Sequence, residues 1–344
     1  MARTKHFAGI DYFRFAAAFL VIAIHTSPFG TWDETIDYLT TYCLGRIAVP
    51  FFFMTTGFFV LAPYYLSDFR KKRALHRFLL KNTTLYLAVT LFYLPLILYS
   101  GQLPTSVPAF LKDLFFDGTF YHLWYFPAAL TGCLLLMLLG HISLTAAAVY
   151  SVLAYAAGLL GDSYYGLIKG APLLSSFYDG IFGFTSYTRN GLFFAPVFIL
   201  LGALIAVYRI RISKKACEWG LIVSLAGLLL EGYFTYSLDL QKHNSMYLFL
   251  LPVLFFLFQF LLGVQGHAPG WIREGSMLLY VIHPAVIVLW RMIAKAAGQT
   301  KLLVENTFIL YVAVCTLSVT AVYLIQSLKG GMIRWNKKDG HGSN

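Results

Sequence analysis

Charge is what this sequence has least of. Only 12% of its 344 residues are Asp, Glu, Lys or Arg, against about 25% in a soluble domain. Hydrophobic residues make up 59% and the mean hydropathy is +0.70, so an ordinary water-soluble globule is excluded. Cysteine is scarce as well. Cys43, Cys133, Cys217 and Cys315 stand far apart and form no CxxC, so neither a disulfide framework nor a metal site is expected. No apolar segment alternates with polar residues, which excludes a transmembrane β-barrel. No internal repeat is visible, which weighs mildly against a transporter built from inverted repeats. Around Ile24-His25-Thr26-Ser27-Pro28-Phe29 no small-residue cleavage site follows the first apolar run, so that run is expected to remain as a first transmembrane helix.

What is present is apolar length. Ten spans can be drawn, at 10–28, 44–62, 79–100, 122–140, 142–160, 189–208, 218–238, 245–264, 275–297 and 304–328. The fold class expected is therefore all-α: a polytopic integral membrane protein, a bundle of about ten transmembrane helices forming one domain over 1–333. Residues 334–344 are expected to form a polar, unstructured cytoplasmic tail or linker. The net charge of +11 sorts across these spans. With the N-terminus in the cytoplasm, 17 Lys and Arg fall on the inner side and 5 on the outer, while Arg14, Arg46, Arg189 and Arg291 lie in or at the ends of spans. That asymmetry predicts cytoplasmic N- and C-termini. The positive charge is a topology signal, and no nucleic-acid partner is expected. Outside the membrane the longest connection, 161–188, is rich in Gly, Ser and Tyr; it is read as a mobile loop or a cover over an outer opening.

Ionisable residues inside the spans carry the functional reading, because charge at membrane depth is costly and faces a bundle interior or a wet cavity. The first span holds Arg14 and His25. Eleven residues at about 100° each return to nearly the same helix face, about 16 Å further along the axis. His25, Arg46, His122, Arg189-Asn190 and Glu231 are all expected at a similar outer level. Each alone has a plain account, a snorkelling Arg or a solvated helix-end His. Glu231 cannot snorkel easily, however, and is expected to pair with an Arg or His. A neutral His25 near a carboxylate is a suitable general base. On the inner side, Phe69-Arg-Lys-Lys-Arg-Ala-Leu-His-Arg77 is an orientation signal with affinity for anionic lipid, or else a phosphate clamp for a cytoplasmic donor. Arg73 and Arg77 share a helix face at i,i+4. Tyr280-Val-Ile-His283-Pro284 places a histidine in the inner half of span nine, as structural glue or as a second site residue. Phe51-Phe-Phe-Met-Thr-Thr-Gly57 has small residues suited to close helix packing.

These residues resemble the acyltransferase-3 family of bacterial integral-membrane acyltransferases. The shared features are Arg14 and His25 separated by ten residues, Val49-Pro50 through Gly57, the basic run ending at Arg77, His122-Leu-Trp124-Tyr-Phe, and Tyr280-Val-Ile-His283-Pro284. Within the family the chain is most similar to the membrane domain of the membrane-bound serine racemases of vancomycin resistance, through Tyr121–Pro127, Thr188–Phe194 and His243–Phe249. The resemblance implies a protein of the bacterial cytoplasmic membrane with no bound cofactor. Its substrates would be acyl-CoA as donor and a hydroxyl of an extracytoplasmic envelope molecule as acceptor. It implies roles as well: His25, Arg14 and Glu231 in catalysis; Arg73, Arg77, Tyr280 and His283 on the donor; Arg46, His122, Trp124, Arg189 and Asn190 on the acceptor. Those racemases carry a soluble pyridoxal-phosphate domain after the membrane part, whereas this sequence stops at Asn344. A stand-alone relative and a membrane domain separated from its racemase both fit, and a cytoplasmic racemase domain is a candidate partner. Neither form is expected to racemise by itself. Transport or binding of serine or another small amino acid is the alternative function, and a plain membrane anchor is a third.

Overall fold

A computed structural model describes residues 7–101 and 103–339, the side chains of 329–339 excepted. Among the described residues there is no strand, and every long element is helical. In chain order the principal helices are α1 (Ala8–Thr26), α2 (the helical stretch Glu34–Tyr65), α3 (Arg73–Tyr99), α4 (Tyr125–Ile142), α5 (Leu144–Leu160) and α6 (Pro172–Phe184). They continue with α7 (Ala195–Val207), α8 (Lys214–Ser237), α9 (Leu250–Leu262), α10 (Gly270–Ala296) and α11 (Thr307–Asp339). Seven of them are long and apolar enough to cross a membrane, whereas α5, α7 and α9 are shorter apolar helices. The chain is a polytopic helical membrane protein.

Side-chain caps set several boundaries. Asp33, Ser143 and Ser213 accept from the backbone N–H three residues ahead and start α2, α5 and α8. α1 stops where Ser27 turns left-handed (φ 46°), with Pro28 behind it. Four expectations change. The second span begins ten residues earlier than drawn, because Asp33 caps it. Asp37, expected in an outer loop, is buried inside α2 and accepts from Phe29 N and the Thr41 hydroxyl. The connection 161–188 is no bare loop: it contains α6, begun by Pro172 at a helix start where its missing N–H costs nothing. The last helix runs through Asp339, so residues 334–339, expected as unstructured tail, are helical; residues 340–344 lie outside the described residues.

The chain forms two compact units, one of residues 1–48 and 261–344, the other of 49–260. In the first, α1, α10 and α11 pack together around Ala18, Ile22, Leu279, Ile287, Leu310, Val314 and Val322. In the second, α7 is the central element. It packs on the 57–61 turn of α2, on α4 and on α5, and Phe198, Ile199, Ala203 and Ile205 on it are wholly buried. Two glycines make that approach. A Cβ on Gly57 would overlap the Ile199 carbonyl oxygen, and one on Gly202 would overlap that of Met54. This is the close helix contact expected of the Phe51–Gly57 segment, and it coincides with a π-turn at Gly57–Leu61.

Candidate functional site

The first unit gathers five of the predicted site residues: Arg14, His25, Arg46, Tyr280 and His283. Arg14 and His25 both lie on α1, and between them Ala18 and Ile22 occupy the same face, turned into the core. Arg14 is half-buried, and its Nε is buried with no hydrogen-bond partner among the described residues. His25, near the far end of α1, stacks on His283 of α10 with ring centroids 5.4 Å apart and planes 21° from parallel. His283 is 0% exposed, and its Nδ1 lies 3.3 Å from the Leu279 carbonyl oxygen. A carbonyl only accepts, so this contact assigns the proton to Nδ1 and leaves Nε2 as the acceptor side of the ring. Pro284 brings no N–H to the Tyr280 carbonyl. The Tyr280 ring, 3% exposed, is 6.2 Å from His283. At the same end of α1, Gly45 packs on Ile24, the Tyr42 hydroxyl is 3.2 Å from Ser27 Oγ, and the Arg46 guanidinium lies 5.5 Å from the Tyr42 ring.

The separation expected between His25 and His283 is corrected by this packing. α1 and α10 run parallel: Phe15 meets Trp271 edge-on at 5.4 Å, and His25 meets His283 ten residues later on α1 and twelve later on α10. α10 starts at Gly270 and has 27 residues, so His283 stands near its midpoint, and α1 with 19 residues ends at that level. About 20 Å of α10 continues beyond it. His283 therefore belongs beside His25, not a half-membrane away from it.

The second unit holds His122, Trp124, Arg189, Asn190, Glu231, Arg73 and Arg77. Glu231 is corrected most. Its Oε1 accepts from the Tyr164 hydroxyl and from Leu248 N, each at 2.6 Å, and its Oε2 accepts from Phe249 N at 2.8 Å. Its partners are thus a tyrosine and the N–H groups leading into α9, not an arginine or histidine. A buried carboxylate is stabilised equally well by backbone donors at a helix start. Asn190, expected on the acceptor, is used structurally: its amide donates to Tyr187 O and Thr185 Oγ1 and accepts from Leu192 N and Phe193 N. All four of its hydrogen-bonding capacities are engaged, which is why regular helix begins only at Ala195 and not at 189.

Arg189 keeps a site-like environment. Its guanidinium lies 4.1 Å from the Tyr187 ring and 5.3 Å from Trp124, and its Nη1 donates to Ser245 Oγ at 3.2 Å. His243 joins the cluster through its ring, 4.5 Å from Tyr187, and burial pushes its pKa below the ordinary value of 6.5. Beneath it Asp162, 0% exposed, accepts from Ser245 N and Met246 N and so fixes the turn that carries Ser245. His122, 1% exposed, is boxed by the rings of Tyr93, Phe120 and Tyr121. Arg73 and Arg77 open α3, exposed and one turn apart as expected. Sequence reasoning missed Tyr164, Asp162 and Tyr187. Each reads as a loop residue, and only the folded chain puts them against Glu231, Ser245 and Arg189.

Comparison with known proteins places these residues in context. The acyltransferase domain profile of the acyltransferase-3 family matches residues 7–326. An amino-acid racemase of Enterococcus faecalis is 39% identical over 334 residues, covering 95% of this chain and 46% of that protein. The serine/alanine racemase of Enterococcus gallinarum is 37% identical over 333 residues, covering 95% and 47%. The chain spans about half the length of the curated relatives it matches. No solved structure matches it significantly.

Proposed function

The chain belongs to the acyltransferase-3 family, and from that premise we propose that it moves an acyl group from cytoplasmic acyl-CoA to a hydroxyl of an extracytoplasmic envelope acceptor. The observation that carries this reading is the first unit's helix α1, with Arg14 and His25 on one face and the His25 ring held on His283. His25 takes the proton of the acceptor hydroxyl as its oxygen bonds to the acyl carbonyl carbon. The carbon–sulfur bond then breaks, and the CoA thiolate leaves and takes up a proton. Arg14, a fixed cation on the same face about 16 Å from His25, offsets negative charge on the donor. Arg73 and Arg77, exposed at the start of α3, suit CoA phosphates. The protein works as a multi-pass protein of the bacterial cytoplasmic membrane with both termini on the cytoplasmic side, as the 17-to-5 charge asymmetry supports.

The test is thiol release from acyl-CoA donors by membranes carrying the protein, compared with His25→Ala at equal protein level. Loss of release in the variant supports the assignment; undiminished release removes it. The racemase names of the relatives favour a second reading, binding or transport of serine, in which Arg189 grips the carboxylate and a racemase domain is the partner. Labelled-serine uptake by proteoliposomes no higher than by empty vesicles would remove that alternative.

A further inference from the structure

With its carboxylate engaged by Tyr164 and the start of α9, Glu231 leaves a feature that acyl transfer does not use. It lies in the wall of an open cleft of about 350 Å³ within the second unit, lined also by Tyr164, Leu230, Phe234, Leu240 and Phe249. The polar end of this cleft consists of acceptors. Among the described residues, the three donors to Glu231 use both positions on Oε1 but only one on Oε2, so one acceptor position on Oε2 remains. The Tyr164 hydroxyl spends its proton on Glu231 and can still accept. The third polar wall residue, Thr235, donates to the Glu231 carbonyl oxygen and accepts from Gln241 Nε2, and so is already satisfied.

The other end is apolar and faces outward: Leu230 and Phe234 are 58% and 55% exposed on α8, a helix of membrane-crossing length and composition. Outward apolar surface on such a helix faces lipid. Glu231 stands six residues before the end of α8, about 9 Å along the axis, which is a headgroup's reach from the membrane surface.

We propose that this cleft is a binding site for a membrane lipid with a primary ammonium headgroup, the ammonium on Glu231 Oε2 and Tyr164 Oη and a chain along Leu230, Phe234 and Phe249. An acceptor-only polar end excludes headgroups that present acceptors alone, and a carboxylate there adds repulsion against an anionic lipid. The occupant enters from the bilayer, so no aqueous path is needed.

The experiment uses the full chain in nanodiscs doped with a diazirine-chain phosphatidylethanolamine probe or a phosphatidylglycerol probe of the same chain, with labelled peptides mapped by mass spectrometry. The ethanolamine probe is expected to label the segments around Leu230, Phe234 and Phe249 at least threefold more than the glycerol probe. Phe234→Trp, a change at an exposed position that fills the cleft, is expected to cut that labelling severalfold without changing elution from a sizing column. Glu231→Gln is expected to abolish the preference between probes. Equal labelling by both probes in the unaltered protein identifies ordinary surrounding lipid and overturns the proposal, as does labelling indifferent to Phe234→Trp. Suppression of labelling by millimolar free serine would instead assign the carboxylate to a small amino acid, and overturns it too. None of these readouts depends on acyl transfer.

Discussion

His25 and His283 stack face to face, 5.4 Å between centroids, although 258 residues separate them in the chain. The contact joins the end of α1 to the middle of α10 and sets a half-buried imidazole on one that is wholly buried and tied to a backbone carbonyl. A ring anchored in this way restricts the orientations open to its neighbour, an arrangement that suits the general-base role proposed for His25.

Proximity of the pair can be read without substrate. In a background free of the four native cysteines, His25→Cys with His283→Cys should be joined in most molecules by a short bis-methanethiosulfonate linker. Arg14→Cys with His283→Cys should remain unjoined, because Arg14 lies about 16 Å further down α1. A protease site placed between α1 and α10 turns the result into a band shift. Equal linking of both pairs would contradict the placement of His283 at the His25 end of α1.

Replacing Glu231 tests a structural role. Glu231→Ala strands the Tyr164 hydroxyl and two N–H groups at the start of α9. The expected cost is about 3 kcal/mol, with a smaller loss for Glu231→Gln, whose amide oxygen can still accept. Thermal unfolding in detergent measures both. Unchanged melting of the alanine variant would show that water replaces those contacts at no cost.

Gly57→Ala should be among the most damaging single-methyl additions in the chain, costing about 3 kcal/mol or more, because its Cβ meets backbone and not a flexible side chain. Gly180→Ala, at a position with nothing among the described residues within 4 Å of its Cβ, should melt like the parent. The yield of monodisperse protein and its melting temperature report the difference.

His243 gives a pH dependence. Burial lowers its folded-state pKa, so between that value and the ordinary 6.5 the unfolded chain binds more protons than the folded one. Its contribution is complete above about pH 6.5 and is lost as pH falls below it. The parent's melting temperature should therefore fall more steeply from pH 7 to pH 5 than that of His243→Gln. Parallel curves would remove His243 from the acid sensitivity.

Much of the membrane architecture was legible along the chain, because a span is a local property: about 20 apolar residues announce themselves without reference to anything else. Arg14 and His25 were legible for the same reason, two ionisable residues at helical spacing inside one span. Two of the short helices, α7 and α9, start later than the spans drawn for them, since an apolar run says nothing of how its first turns are capped. At 189–194 and 245–249 the side chains of Asn190, Asp162 and Glu231 hold the backbone out of regular helix.

The sequence alone therefore determined the polytopic helical class, the family to which the chain belongs and the helix that carries Arg14 and His25. The tertiary structure decided which group answers each buried polar one: His283 beside His25, Tyr164 and backbone N–H groups on Glu231, Tyr187 and Trp124 around Arg189. The division is physical. Insertion into a membrane depends on composition within one segment, whereas satisfying a buried charge depends on whichever donors the fold brings within about 3 Å, and those come from any distance along the chain.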